Sequence, residues 1–392
     1  MEHFDVVVVG GGPTGATAAH DLAREGRRVL LLDKRGRIKP CGGAIPPILV
    51  REFDIPEYML EAKVTDARMI SPTNQKVDMS VGGWVGMVDR CEFDEWLRTR
   101  AASAGATRID ATVSSVDSEP GRKARVSFTE KDSGEMREVE ADYVIGADGA
   151  RSKIARQCIP KADKIPHVFA YHEIVRSPKT VTDEFNPTRC DVYYQGDVSP
   201  DFYGWVFPHG EKTSVGMGSA HQGYSLRNAT TLLRERAGLT DAETIRTEGA
   251  PIPLRPMKRW DNGRDVIVAG DAAGVVAPAS GEGIYYAMLT GRLAAGAVAQ
   301  AIDTEDASAL RYARKRFRRQ HGRVFFILGL LQKFWYSSDK RREKFVKICR
   351  DPDVQHLTWE AYMNKKLVRA KPVAHVRIFF KDLAHLIGLA PR

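Results

Sequence analysis

The first 33 residues restrict this chain more than any other stretch. Residues 4–9 (FDVVVV) form a continuous β-branched run, the pattern of a strand buried on both faces of a parallel sheet. The run leads directly into Gly10-Gly11-Gly12-Pro13-Thr14-Gly15, a G-x-G-x-x-G turn. Residues 16–24 then read as a helix, and residues 28–32 as a second strand ending at Asp33. Each part has a mechanical role. Gly10 permits the tight turn, Gly12 lets backbone approach a pyrophosphate, and Gly15 lets helix and strand pack closely. The helix N-terminus presents free N–H groups and a positive dipole to phosphate. Asp33, 18 residues after Gly15, stands where an adenosine ribose can donate hydrogen bonds to it. A lone glycine motif is weak evidence. Set within strand, helix, strand and acid, it predicts a dinucleotide-binding unit.

Two later segments narrow the dinucleotide. Residues 141–149 (ADYVIGADG) read as a strand ending in G-A-D-G, with Asp148 in the turn. Residues 265–274 (DVIVAGDAAG) form another, with Asp271, followed by Gly281-Glu282-Gly283-Ile284 and a small-residue helix to about residue 301. The three motifs in this order, with an aromatic β-rich segment between the second and third, resemble the p-hydroxybenzoate-hydroxylase-type flavoproteins over roughly the first 300 residues. The resemblance implies bound FAD. By it, Asp271 meets a ribityl hydroxyl, and the backbone of Gly281, Gly283 and Ile284 lies beside the N1/O2 edge of the flavin. A helix dipole there would stabilise the anionic reduced ring. The same likeness places Arg90 at a helix start near the cofactor and the Val113 backbone near the adenine. It adds Pro13, Lys34, Cys41, Gly42 and Asp148 to the expected cofactor-binding set.

Two further motifs indicate a branch. One is Lys39-Pro40-Cys41-Gly42-Gly43-Ala44, and the other is P-x-x-Y-x-W-x-F-P at residues 200–208. Both are similar to the geranylgeranyl reductases, FAD enzymes that reduce isolated C=C bonds of C20 isoprenoid chains. General likeness along the chain favours the bacterial bacteriochlorophyll-synthesis branch over archaeal lipid reductases. Tyr203, Trp205 and Phe207 alternate along a strand and so share one face. They predict either an apolar wall for an isoprenoid tail or a stripe of sheet core. The resemblance implies a geranylgeranylated bacteriochlorophyll or geranylgeranyl diphosphate as substrate and NADPH as reductant. Cys41 is the candidate catalytic proton donor, and a small apolar packing residue is its alternative role. An aromatic monooxygenase remains the competing enzyme class.

Composition speaks mainly about partners. Residues 301–392 carry 21 basic and 9 acidic side chains, a net +12, against −3 for the first 300 residues. Seven basic residues between 311 and 323 precede the apolar run VFFILGLL and then Phe334, Trp335 and Tyr336. That alternation predicts peripheral membrane contact through residues 311–347, or a helical cap with solvated charges. No nucleic-acid motif accompanies the charge, so no nucleic-acid partner is expected. The five cysteines are scattered without a CxxC pair, so neither metal nor disulfide framework is expected. No signal segment or membrane span is apparent, which predicts a cytoplasmic protein with contact at the inner, photosynthetic membrane.

The expected fold class is α/β: a Rossmann-type FAD-binding domain, an antiparallel-sheet substrate domain and a helical C-terminal region. The FAD-binding domain is expected from residues 1–160 and 261–305, with residues 117–138 inserted as a polar hairpin. The substrate sheet is expected from residues 161–260, and the basic helical region from 306–392.

Overall fold

The computed structural model describes residues 1–365 except Arg35, Arg37 and Pro40. Its strands are β1 (Glu2–Val9), β2 (Val29–Asp33), β3 (Ala44–Ile45), β4 (Ala62–Ile70), β5 (Lys76–Met87), β6 (Thr107–Asp117), β7 (Ala124–Glu130), β8 (Met136–Gly146), β9 (His167–Arg176), β10 (Arg189–Tyr193), β11 (Gly204–His209), β12 (Lys212–Ser219), β13 (Thr244–Pro253) and β14 (Val266–Val268). Its helices are α1 (Pro13–Arg24), α2 (Pro47–Glu52), α3 (Arg90–Ser103), α4 (Lys153–Cys158), α5 (Leu226–Arg236), α6 (Ile284–Thr304), α7 (Arg311–Trp335), α8 (Asp339–Ile348) and α9 (Pro352–Asn364).

Strands β14, β8, β1, β2 and β6 pair in parallel, in that order. The outer half of β6 bends away to pair antiparallel with β7, and β7 pairs with the first half of β8. Val6, Val7, Val8, Leu30, Leu31 and Leu32 are fully buried, as a strand covered on both faces requires. Residues 117–138 form the expected hairpin, with β7 antiparallel to β8, but only one face of it is polar. Ala124, Val126 and Phe128 on alternate positions of β7 are buried, so this strand packs onto the main core.

The second sheet runs β13-β9-β12-β11-β10-β4-β5-β3. Its pairings are antiparallel except β10 with β4, which run parallel with Tyr193 opposite Ile70. The expectation that residues 161–260 supply this sheet alone is corrected: β3, β4 and β5 come from residues 44–87, inside the stretch assigned to the FAD-binding domain. Pairing across more than a hundred residues of chain fixes their place, and such pairing leaves no local mark in a strand's own pattern. Of the expected helical C-terminal region, α7, α8 and α9 are described, and residues 366–392 lie outside the described residues.

One crossing of backbones positions everything else. At Gly10 the φ angle is +105°, and a Cβ there would sit 2.4 Å from the Ala147 carbonyl oxygen. At Gly15 a Cβ would lie 1.8 Å from the Gly10 carbonyl oxygen. At Gly291 on α6 it would lie 2.2 Å from that of Thr14. Strand β1, the turn after β8 and helices α1 and α6 thus meet with no room for a side chain. Gly15→Ala should therefore destabilise the fold by about 1–3 kcal/mol, the usual cost of overpacking. A lower denaturation midpoint, with less cofactor retained on purification, is the expected result.

Candidate functional site

A continuous cleft of about 380 Å³ runs between the two sheets. At its base α1 begins at Pro13, with Gly12 as N-cap and no side chain capping the free N–H groups. A Cβ at Gly12 would meet nothing within 4 Å, so this backbone faces open cleft. Helix α6 also begins on the cleft, again on a glycine, Gly283, without a side-chain cap. Two uncapped helix N-termini directed at one cleft make a cradle for an anionic, phosphate-bearing group. A dinucleotide fits that cradle.

Around it lie all of the expected cofactor-binding residues except Gly15, which packs beneath Gly10. Asp33 closes β2, and its Oδ1 accepts a 2.9 Å bond from the Gly11 amide. Its Oδ2 accepts from Arg98 Nη1 at 3.0 Å. Lys34 and Val113 line the adjoining wall. Asp148 borders the cleft, but its oxygens are committed to the start of α4. They accept from the Lys153 amide at 2.6 Å, the Ile154 amide at 3.3 Å, and the Ser152 hydroxyl. Burial pushes the Asp148 carboxyl up, and these bonds only partly oppose it. Asp271 is buried and ion-paired with Lys39.

Arg90 opens α3 and is buried in a two-pronged pair with Asp94, at 2.7 and 2.6 Å. Burial works against its charge, but Asp94 holds the guanidinium protonated. Sequence reasoning missed Arg98, Asp94 and Lys39. For the first two a signal existed: Arg90, Asp94 and Arg98 stand at i, i+4 and i+8 on one helix. Lys39 lies in the motif that contains Cys41, but nothing local marks Asp271 as its partner.

Tyr203, Trp205 and Phe207 do line the cleft together, joined by Phe202, which sequence reasoning left out. Phe202 stacks on Tyr203 with centroids 4.3 Å apart, and Tyr203 meets Trp205 edge-on at 6.1 Å. The Trp205 indole donates to Ser214 Oγ at 3.0 Å, so its polar edge is satisfied behind the wall. The Cys41–Gly42 loop lies against this strip: a Cβ at Gly42 would be 2.7 Å from the Phe207 ring. Cys41 Sγ accepts from the Gly43 amide at 3.3 Å. At the other end of the strip, the Tyr203 hydroxyl donates to the Ser280 carbonyl at 2.5 Å. At Gly281 φ is +64°, and a Cβ would lie 3.0 Å from the Phe202 ring. The glycine turn before α6 is thus pressed onto the aromatic wall.

The C-terminal helices complete the enclosure. Tyr336 donates to the Ala279 carbonyl at 2.9 Å. Trp359, Tyr362 and Met363 of α9 pack on the outer strands beside Phe207. Lys365 forms a buried ion pair with Glu282, the residue between Gly281 and Gly283. On α7, Phe317, His321 and Phe325 face the core, whereas Phe326 (68% exposed) and Leu330 (53%) face outward. The apolar run therefore serves as a cap on one face and is bare on the other. No helix among the described residues is long and apolar enough to cross a membrane. No metal-binding cluster occurs among them either.

The whole chain has known relatives. Residues 5–374 match the family model described as lycopene cyclase protein. A geranylgeranyl diphosphate reductase of Rhodobacter capsulatus is 55% identical over 99% of this chain and 98% of its own length. A digeranylgeranylglycerophospholipid reductase of Thermoplasma acidophilum is 29% identical over 93% of this chain and 96% of its own. Among solved structures, a geranylgeranyl bacteriochlorophyll reductase-like protein from Thermoplasma acidophilum superposes with a TM-score of 0.82. It is 25% identical and covers 95% of this chain and 100% of its own.

The polar side of the site carries a pH signature. His209 Nε2 lies 3.0 Å from the Gly42 carbonyl and donates to it, and burial pushes this imidazole down to about 4. An unfolded histidine titrates near 6.5, so between those values the unfolded chain takes up a proton that the folded chain refuses. The contribution is intact above about pH 6.5 and declines as the pH falls towards 4. Urea midpoints at pH 7 and pH 5 should show His209→Gln losing less stability on acidification than the parent, by about 2 kcal/mol.

Proposed function

The chain belongs to the geranylgeranyl reductase family, and we propose that it reduces isolated C=C bonds of a geranylgeranyl chain towards phytyl, using FAD. The observation that carries this reading is the meeting of three elements along one cleft: the phosphate cradle, the glycine turn at α6, and the aromatic strip against Cys41. The substrate is geranylgeranyl diphosphate, the esterified bacteriochlorophyll, or both. NADPH is the reductant. No second glycine fingerprint of the α1 type occurs in the sequence, so NADPH docks transiently.

The residues suit the chemistry. A trisubstituted alkene has no carbonyl to polarise, so hydride attack alone would leave an unstabilised carbanion. Proton transfer first gives a tertiary cation, which aromatic faces stabilise. Reduced FAD, when bound, supplies the hydride. Cys41 donates the proton, because it lines the cleft and its neighbour Gly42 lies against the Phe207 ring. Tyr203, Trp205 and Phe207 exclude water and hold the apolar tail. Asp33, Arg98, Asp271 and Lys39 hold polar groups of the dinucleotide, and the α6 N-terminus favours negative charge on the flavin.

The exposed face of α7 suits peripheral contact with an anionic membrane, where a prenylated pigment resides. Phe326 and Leu330 would enter the interface, and the basic residues between 311 and 323 would face lipid headgroups. Co-sedimentation with phosphatidylglycerol vesicles checks this. Binding should fall in Phe326→Asp and at high salt, and equal binding by both proteins would refute it.

The reaction itself is tested anaerobically. The protein, with its FAD reduced, is mixed with geranylgeranyl diphosphate while flavin oxidation and product mass are followed. Mass should rise in steps of two hydrogens. Cys41→Ser should retain FAD and lose roughly 10²–10⁴-fold in turnover. Product only with oxygen and an aromatic compound would show a monooxygenase instead. Turnover confined to a digeranylgeranyl lipid would move the substrate to that class.

A further inference from the structure

Each reduction removes a proton from the cleft, yet the wall there is apolar and offers no obvious source. Beside Cys41 lies a second, smaller cavity of about 10 Å³, close to the room one water needs. Cys41 and Arg90 border both spaces. Ile38, Val88 and Ile174 share the small cavity's remaining border with charged groups and histidines, and nearly every charge there is already matched. Arg90 is fixed on Asp94. Arg246 donates to Asp89 at 2.9 Å and to Glu248 at 2.6 Å. Glu248 also holds His172, and Lys39 holds Asp271.

Glu61 is different. Its Oε1 accepts from Lys212 at 3.0 Å. Its Oε2 is buried with no hydrogen-bond partner among the described residues, 3.7 Å from His209 Nδ1. His209 donates through Nε2 to Gly42, so Nδ1 carries a free lone pair, and a protonated Glu61 would find an acceptor there. Burial pushes the Glu61 carboxyl up in spite of Lys212. Lys212 is about one-third exposed and connects the group to bulk water.

We propose that Glu61 reloads Cys41 with the proton consumed in each reduction, through one water in the cavity beside it. This rests on the reductase reading above. The steps balance simply. The Cys41 S–H bond breaks and a C–H bond forms at the alkene, leaving a thiolate beside the Arg90 guanidinium. The hydride that completes the reduction comes from reduced flavin. Glu61 then gives its carboxylic proton to the water, the water gives one to the thiolate, and the Glu61 carboxylate recovers a proton from solvent past Lys212. His209 is a positioning residue: its ring aims the Glu61 carboxyl and holds the Gly42 carbonyl beside Cys41.

The test follows the first and later turnovers separately. Holoenzyme kept reduced with excess dithionite is mixed with geranylgeranyl diphosphate, and product masses are sampled with time in H₂O and D₂O. Glu61→Gln preserves shape but cannot shuttle the proton. It should give a burst of one reduction per enzyme at the parent rate, then a steady state at least about tenfold slower. The solvent isotope effect should rise in the slow phase only, and Glu61→Asp should recover part of the rate. If Glu61→Gln slows burst and steady state equally, or leaves both at the parent rate, the relay is wrong. If the parent protein forms no reduced isoprenoid under these conditions, the reductase reading itself fails and the relay falls with it.

Discussion

The structure depends on a close approach of backbones at Gly10 and Gly15. A side chain at either position would occupy space already held by the Ala147 or Gly10 carbonyl. Because nothing intervenes, α1 begins directly above the ends of β1 and β8, and α6 crosses α1 at Gly291 with equal tightness. Two helix N-termini are thereby directed into the same cleft with their amide groups uncapped. The electrostatics of the site follow from packing, since such termini attract phosphate and developing negative charge.

The second sheet supplies what the first lacks. A dinucleotide cradle has no means of holding a long apolar chain. Strand β11 offers one, because its alternate aromatic residues face the cleft while the Trp205 indole is satisfied behind by Ser214. The Cys41–Gly42 loop closes on this wall through the Phe207 ring, and the Gly281 turn closes on it through Phe202. The α9 helix and the buried Glu282–Lys365 pair then tie the C-terminal helices to that same turn. Burying such a pair costs desolvation of both charges, so its value lies in geometry more than in stability.

Much of this was legible in the residues themselves. The run from Val6 through Gly15 to Asp33 carries strand, turn, helix and acid in order, and every one of those elements is local. The alternation of Tyr203, Trp205 and Phe207 likewise announces a shared face. Contacts made across long stretches of chain were not legible. Strands β3 to β5 join the second sheet through β10, and the burial of Ala124, Val126 and Phe128 depends on neighbours β6 and β8. The Lys39–Asp271 and Lys365–Glu282 pairs join residues 232 and 83 positions apart. Apart from the Arg90–Asp94 pair on α3 and the Arg246–Glu248 pair on β13, the matched charges around the small cavity join different elements, such as Asp89 with Arg246 and His172 with Glu248, so no single motif could reveal them.

The central claim is that one cleft holds flavin and isoprenoid together, with the aromatic strip and Cys41 on the alkene side. A crystal structure of the protein with FAD and geranylgeranyl diphosphate tests this most directly. The account predicts the isoalloxazine beside the Gly281–Ile284 turn and the isoprenoid tail between that ring and the strip of Tyr203, Trp205 and Phe207, within reach of Cys41. A tail bound outside the cleft, or density placing Cys41 on the far side of the flavin from the alkene, would contradict it.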